Sequence, residues 1–156
     1  TVDPIPLAFR KRSIPGIEEF LDLVNATAVV TFKREWADYC LRTPGYRQVY
    51  FEGRFRVFAR EHAVNSYFLQ GSGRISPRSE GFRVFPEAAE SVLKFRYLPR
   101  LRSEPKDGVE ISPVFAFSEE LGGGKQEDVY YIRLKVSPKV LASGKGVALG
   151  FWPKRE

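Results

Sequence analysis

The sequence predicts an α+β protein of a single domain, an antiparallel sheet of about four to five strands carrying about four to five short helices. Three observations point there. A chain of 156 residues is one domain's worth of polypeptide, long enough to bury roughly two thirds of its unfolded surface. Stretches with strand-like alternation and stretches with helical spacing follow one another irregularly, without the steady strand–helix alternation of a parallel sheet. Two alternating stretches, 109–117 and 128–137, flank a loop with three successive glycines and read as an antiparallel hairpin. No repeat, low-complexity tract or linker divides residues 1–156.

Taken in order, residues 1–12 (TVDPIPLAFRKR) carry two prolines and a basic cluster and read as an extended basic arm. Ser13 to Gly16 signal a helix start. Ile17, Phe20, Leu21 and Val24 then recur at helical spacing, with Glu18 and Glu19 in the first turn. Residues 28–32 are short and β-branched, hence a strand. Residues 33–41 place Trp36, Tyr39 and Cys40 at helical spacing before Thr43-Pro44-Gly45 stops them.

The stretch YRQVYFEGRFRVFAR (46–60) reads as one long strand and organises the rest. Its odd positions, among them Val49, Phe51, Phe55 and Val57, are apolar and read as the core face. Its even positions, Tyr50, Arg54, Arg56, Phe58 and Arg60, interleave rings with guanidinium groups and read as the outer face. Residues 61–69 read as a short helix, 71–81 as a flexible loop, and 82–85 as a brief strand. Pro86 opens a helix to about Tyr97. Arg96, Arg100 and Arg102 follow one another closely there; the helix dipole accounts for the first, whereas the other two lie beyond it. In 128–137, Tyr130, Ile132, Leu134 and Val136 point inward and Tyr131, Arg133 and Lys135 outward. Ser137-Pro138 caps a short helix ending near Gly144, and 147–152 form a last strand.

Charge and composition narrow the function. Lys and Arg number 25 against 19 Asp and Glu, a net charge of +6 with a pI near 9.5; this favours a polyanionic partner. Sixteen of the cations are Arg, the side chain whose planar fork matches phosphate. The absence of Met and the scarcity of Asn, Gln and Cys, beside abundant charge, match heat-adapted composition. A lone Cys40 excludes an internal disulfide and fits a reducing cytoplasm. No run approaches about 20 apolar residues and no signal-peptide core is present, so a cytoplasmic protein with no membrane association is expected.

Catalytic motifs fail one by one. Gly124-Lys125 is followed by Gln126 rather than Ser or Thr, so no phosphate loop is formed. His62 is the single candidate base for a nucleophilic triad. The Cys and His count excludes structural zinc. The one Glu-x-Lys pair, Glu104-Pro105-Lys106, is broken by proline, which weighs against a carboxylate-metal nuclease. No enzyme activity, metal or cofactor is expected.

If the two outward rows share a sheet, Tyr50, Arg54, Arg56, Phe58, Arg60, Tyr131, Arg133 and Lys135 form one basic aromatic surface, with Arg96, Arg100 and Arg102 as further phosphate contacts. Arg would hold phosphates and the rings would stack unpaired bases, which selects single strands over duplex. The run GRFRVF resembles the ring-and-cation core motif of RNA-recognition domains, without the glycine that follows its first ring. In size, heat-adapted composition, mixed helices with a small antiparallel sheet, and basic aromatic character, the whole chain resembles the ThermoDBP-type single-stranded DNA-binding proteins of thermophilic archaea. That resemblance is one of profile and transfers no residue roles. It implies a DNA-binding domain with an exposed hydrophobic cleft flanked by basic residues, and a homodimer as a further expectation, although no heptad repeat follows Trp152. Sequence-tolerant binding of single-stranded DNA is therefore the expected function. Single-stranded RNA binding, a protein-interaction module and a metal nuclease stand as alternatives.

Overall fold

A computed structural model describes residues 4–151. Among them are four helices and eleven strands, the strands arranged in three antiparallel sheets. The α+β class and the antiparallel pairing match the sequence expectation; one sheet of four to five strands does not. The chain forms two compact units, Leu7–Ser66 and Thr1–Pro6 with Tyr67–Glu156.

The first unit opens with α1 (Leu7–Arg10) and α2 (Ser13–Leu23). The expected extended arm is helical over Leu7–Arg10, because the Phe9 ring packs on Phe20 at 5.2 Å and a helical turn presents it there; residues 1–3 of that arm lie outside the described residues. Ile17, Phe20 and Leu21 are buried, as their spacing requires. Then come β1 (Ala28–Thr31), α3 (Arg34–Arg42), β2 (Tyr46–Glu52) and β3 (Phe55–Arg60), the strands ordered β1-β3-β2. The expected single strand over 46–60 is thus a hairpin. Gly53, at φ 58°, supplies the left-handed backbone that a two-residue turn needs.

The second unit carries two four-stranded sheets. One is ordered β4-β7-β10-β9, from β4 (Phe68–Gln70), β7 (Glu90–Arg96), β9 (Val109–Gly122) and β10 (Lys125–Val136). The other is ordered β5-β6-β11-β8, from β5 (Gly73–Arg78), β6 (Gly81–Pro86), β8 (Arg102–Glu104) and β11 (Val147–Gly150). They share one core, to which Phe68, Leu93, Ile132, Leu134 and Val136 come from the first sheet and Val84, Val147 and Leu149 from the second. The short helix α4 (Pro138–Ser143) starts as expected, with the Ser137 hydroxyl accepting from the Val140 amide at 3.2 Å. Trp152, the expected end of the last strand, lies outside the described residues.

Three expectations fail in this unit. The helix over 61–69 and the loop over 71–81 are replaced by turns with β4 and β5, and the helix from Pro86 to Tyr97 is β7. The hairpin of β9 and β10 is present, but its inward face differs. Register shifts fall between Val129 and Tyr130 and between Tyr131 and Ile132. Each bulge moves side chains to the opposite face. Val129 and Tyr131 are therefore buried together with Ile132, Leu134 and Val136, while Tyr130 and Phe115 are exposed.

Candidate nucleic-acid interface

In an antiparallel ladder, residues directly opposite share a face, so the register of the three-stranded sheet defines two surfaces. Val29, Phe58 and Gln48 form one row, and Thr31, Arg56 and Phe51 the next. Arg60 and Tyr46 complete this side, which packs on the helices. Tyr46 donates its hydroxyl to Glu18 of α2 and meets the ring of Tyr39 of α3 at 6.0 Å. Phe58 is 1% exposed. The Arg60 guanidinium is buried and donates to Asp22 at 2.9 Å and to the Ala26 carbonyl at 2.7 Å, with Glu18 at 3.6 Å.

This inverts the expected faces over Phe55–Arg60 and at Tyr46, whereas Tyr50 keeps its expected side because the register shifts between Gln48 and Tyr50. The alternation was legible, but the side was not, because a carboxylate-paired Arg can accompany Phe58 inward. Phe55, expected in the core, is 52% exposed, and Phe51 is 55% exposed.

The opposite surface consists of the rows Ala28, Ala59, Arg47 and Val30, Val57, Tyr50, with Phe55 opposite Glu52. Phe32, just past β1, lies 6.3 Å from Phe55 between ring centroids. Val30, Phe32, Tyr50 and Phe55 are all exposed. The Tyr50 hydroxyl donates to Glu52, which raises its pKa. Arg47 is held by Glu61 at 3.5 Å. Lys33 and Arg54, exposed and next in the chain to Phe32 and Phe55, have no ion pair among the described residues. The arrangement offers flat apolar rings flanked by two cations.

The remaining expected contacts are dispersed. Tyr50 and Arg54 stay accessible as expected. Arg56 lies 4.8 Å from the centroid of the Phe51 ring and donates to Gln48 at 3.1 Å. Phe58 and Tyr131 are buried and cannot stack bases. Arg60, Arg96 and Arg133 are carboxylate-paired, the last two with Glu127 at 2.6 Å and Glu90 at 3.2 Å. β3 and β10 belong to different sheets, so the single surface expected from their outward rows does not form as a sheet face. Lys135 is exposed on β10; Arg100 lies in the connection after β7, and Arg102 is on β8 of the other sheet. Sequence reasoning missed Phe32, Phe55 and Lys33. The signal was present: Gly53-Arg54 between two alternating runs is a hairpin turn, and splitting the strand there frees each half to choose its face.

The tyrosines against α2 carry the largest electrostatic perturbation. Burial first, then the nearby Glu18 carboxylate, pushes Tyr39 up to about 12, and the same causes raise Tyr46 further. Burial and Glu18 also lift the Cys40 thiol to about 11. Among the described residues no group of three or more His, Cys, Asp and Glu is placed to hold a metal ion, and no helix is long and apolar enough to cross a membrane. Comparison with protein-family models, curated proteins and solved structures returns no match.

Proposed function

We propose that the protein binds single-stranded DNA without strong sequence preference, through the open face of the β1-β3-β2 sheet. The observation that carries this reading is the coincidence of three exposed rings, Phe32, Tyr50 and Phe55, with the exposed Lys33 and Arg54 next in the chain to two of them. Every base has a π-face, so stacking on such rings is sequence-tolerant, and the two cations supply phosphate contacts. The net charge of +6 favours the encounter.

Fluorescence anisotropy with a labelled single strand and a duplex, at several salt concentrations, tests it. Phe55→Ala is expected to weaken single-strand binding by about 1–3 kcal/mol with the salt dependence nearly unchanged. Arg54→Ala should instead lower the log–log salt slope by about 0.7. Preference for duplex, or affinity indifferent to salt, would exclude the reading. The apolar centre of the same face, with Val30 at 62% exposure, also favours protein docking. Binding that survives high salt and ignores both oligonucleotides would select that alternative.

A further inference from the structure

We propose that the outer face of the β5-β6-β11-β8 sheet is a second phosphate-binding surface, a track for the backbone of single-stranded nucleic acid, built from Arg74, Arg78, Arg83 and Arg102. The proposal rests on the single-strand reading above but uses none of its residues.

Register places these side chains together. Arg78, Gly81, Gly150 and Arg102 lie opposite one another across all four strands, and Ser76, Arg83, Ala148 and Glu104 form the adjacent row. Arg74 is opposite Phe85 on the same side. The alternate residues Ile75, Phe82, Val84, Val147 and Leu149 belong to the shared core, so the arginine rows face away from it.

These arginines share the carboxylate-free state of Arg42, Arg54, Arg56 and Arg100 among the described residues, but only these four gather on one sheet face. Arg12, Arg34, Arg47, Arg60, Arg96 and Arg133 each meet a carboxylate. None of the four does so among the described residues. Arg83 donates to the Lys145 carbonyl at 2.9 Å, and Arg74 lies 4.0 Å from the centroid of the Phe85 ring. Glu104 is the one carboxylate in these rows. Arg83 has Arg74 and Arg78 as its diagonal neighbours on β5, so the face concentrates positive charge that an anion would offset.

Its shape suits an extended anion. On the two central strands Gly81, Ala148 and Gly150 carry no long side chain, whereas Arg83 and Phe85 of β6 do; Ala148 is fully buried, so the accessible cations lie along the β5 edge at Arg74 and Arg78. A Cβ on Gly81 would stand 2.0 Å from the Leu149 carbonyl oxygen, so no side chain can be accommodated there. Arg78 and Arg102 sit on opposite edges, about 14 Å apart at the usual strand spacing, and Arg74 lies about 13 Å along β5 from Arg78. That spread spans several phosphates rather than one. The ring on this face, Phe85, lies beneath Arg74, which leaves little apolar surface to insert into a lipid bilayer; a polymer of phosphodiesters fits better than a membrane.

The test uses the full chain, a labelled oligothymidylate and the pair Arg74→Gln with Arg78→Gln, both exposed positions. The expected result is a salt slope lower by about 1.4 and correspondingly weaker binding at low salt, restored by the matching Lys pair, with an unchanged circular dichroism spectrum. If the Gln pair binds like the unaltered protein while Phe55→Ala weakens binding, this surface is excluded and the open sheet face stands. If the Gln pair lowers the slope while Phe55→Ala has no effect, this surface stands and the open face falls. Arginine-dependent binding to phosphatidylserine vesicles, with no binding to the oligonucleotide, would overturn the nucleic-acid assignment of this face.

Discussion

Phe58 and Arg60 show how far a residue's environment departs from its type. Both read as solvent-facing in the alternation of 46–60, and both are buried against helices. Phe58→Ala should cost about 3–5 kcal/mol of stability, and denaturant melts should show it, whereas Phe55→Ala, at an exposed position, should leave stability nearly unchanged. Arg60→Ala removes the guanidinium that Asp22 and Glu18 meet. Both carboxylates retain access to water, so the loss should sit near about 3 kcal/mol, the lower end for broken buried pairs. The tyrosines give a pH signature. Burial and the Glu18 carboxylate push Tyr39 up to about 12 in the folded chain from the ordinary 10.0, so the folded state keeps a proton that the unfolded state releases first. Stability should therefore be complete below pH 10 and fall as pH rises toward 12. Chemical denaturation across that range checks this, and Tyr39→Phe should flatten part of the fall. Cys40, raised in the same way, should react slowly with thiol reagents at pH 8 until the chain unfolds.

At the scale of elements, α2, β1, α3, α4 and the β9–β10 hairpin were legible because each shows one clean period or cap. β7 was not. Ser91, Val92 and Leu93 are all buried in succession, and a strand covered on both faces has no alternation to distinguish it from a helix. β5 was hidden by Gly73, Ser76 and Pro77, because its place is set by backbone pairing to β6 rather than by apolar side chains. Bulges concealed the faces of β10, since one inserted residue exchanges inside and outside without any composition signal. Gly53 offers a measurable contrast. A Cβ there meets nothing within 4 Å, so Gly53→Ala should cost only the left-handed backbone strain, about 1–2 kcal/mol, and leave oligonucleotide affinity intact.

For the whole molecule, the class was readable and the division into three sheets was not. Local sequence reports periodicity, but it does not report which distant strand supplies the hydrogen bonds. β11 lies between β6 and β8 and pairs with β6 more than sixty residues earlier, and Val147, Ala148 and Leu149 are fully buried. Removing residues 147–156 should therefore abolish cooperative unfolding of the second unit, visible as collapsed amide dispersion in NMR spectra. The candidate interface was partly legible for a related reason. Charge and ring content pointed to a polyanion, but which rings reach water depended on the turn at Gly53 and on ion pairs formed across elements.

The irregularity in β2 has a consequence for self-association. β1 and β2 are the two edges of their sheet, and an open edge beside an apolar face invites strand addition from another molecule. β1 is only four residues long, and β2 is interrupted at Val49, where its register against β3 shifts. A bent edge is a poor template for a growing cross-β stack. The short β1 and the shifted β2 thus work against strand addition beside the exposed rings. Deleting Val49 should straighten that edge and raise light scattering on warming under conditions where the unaltered chain stays clear.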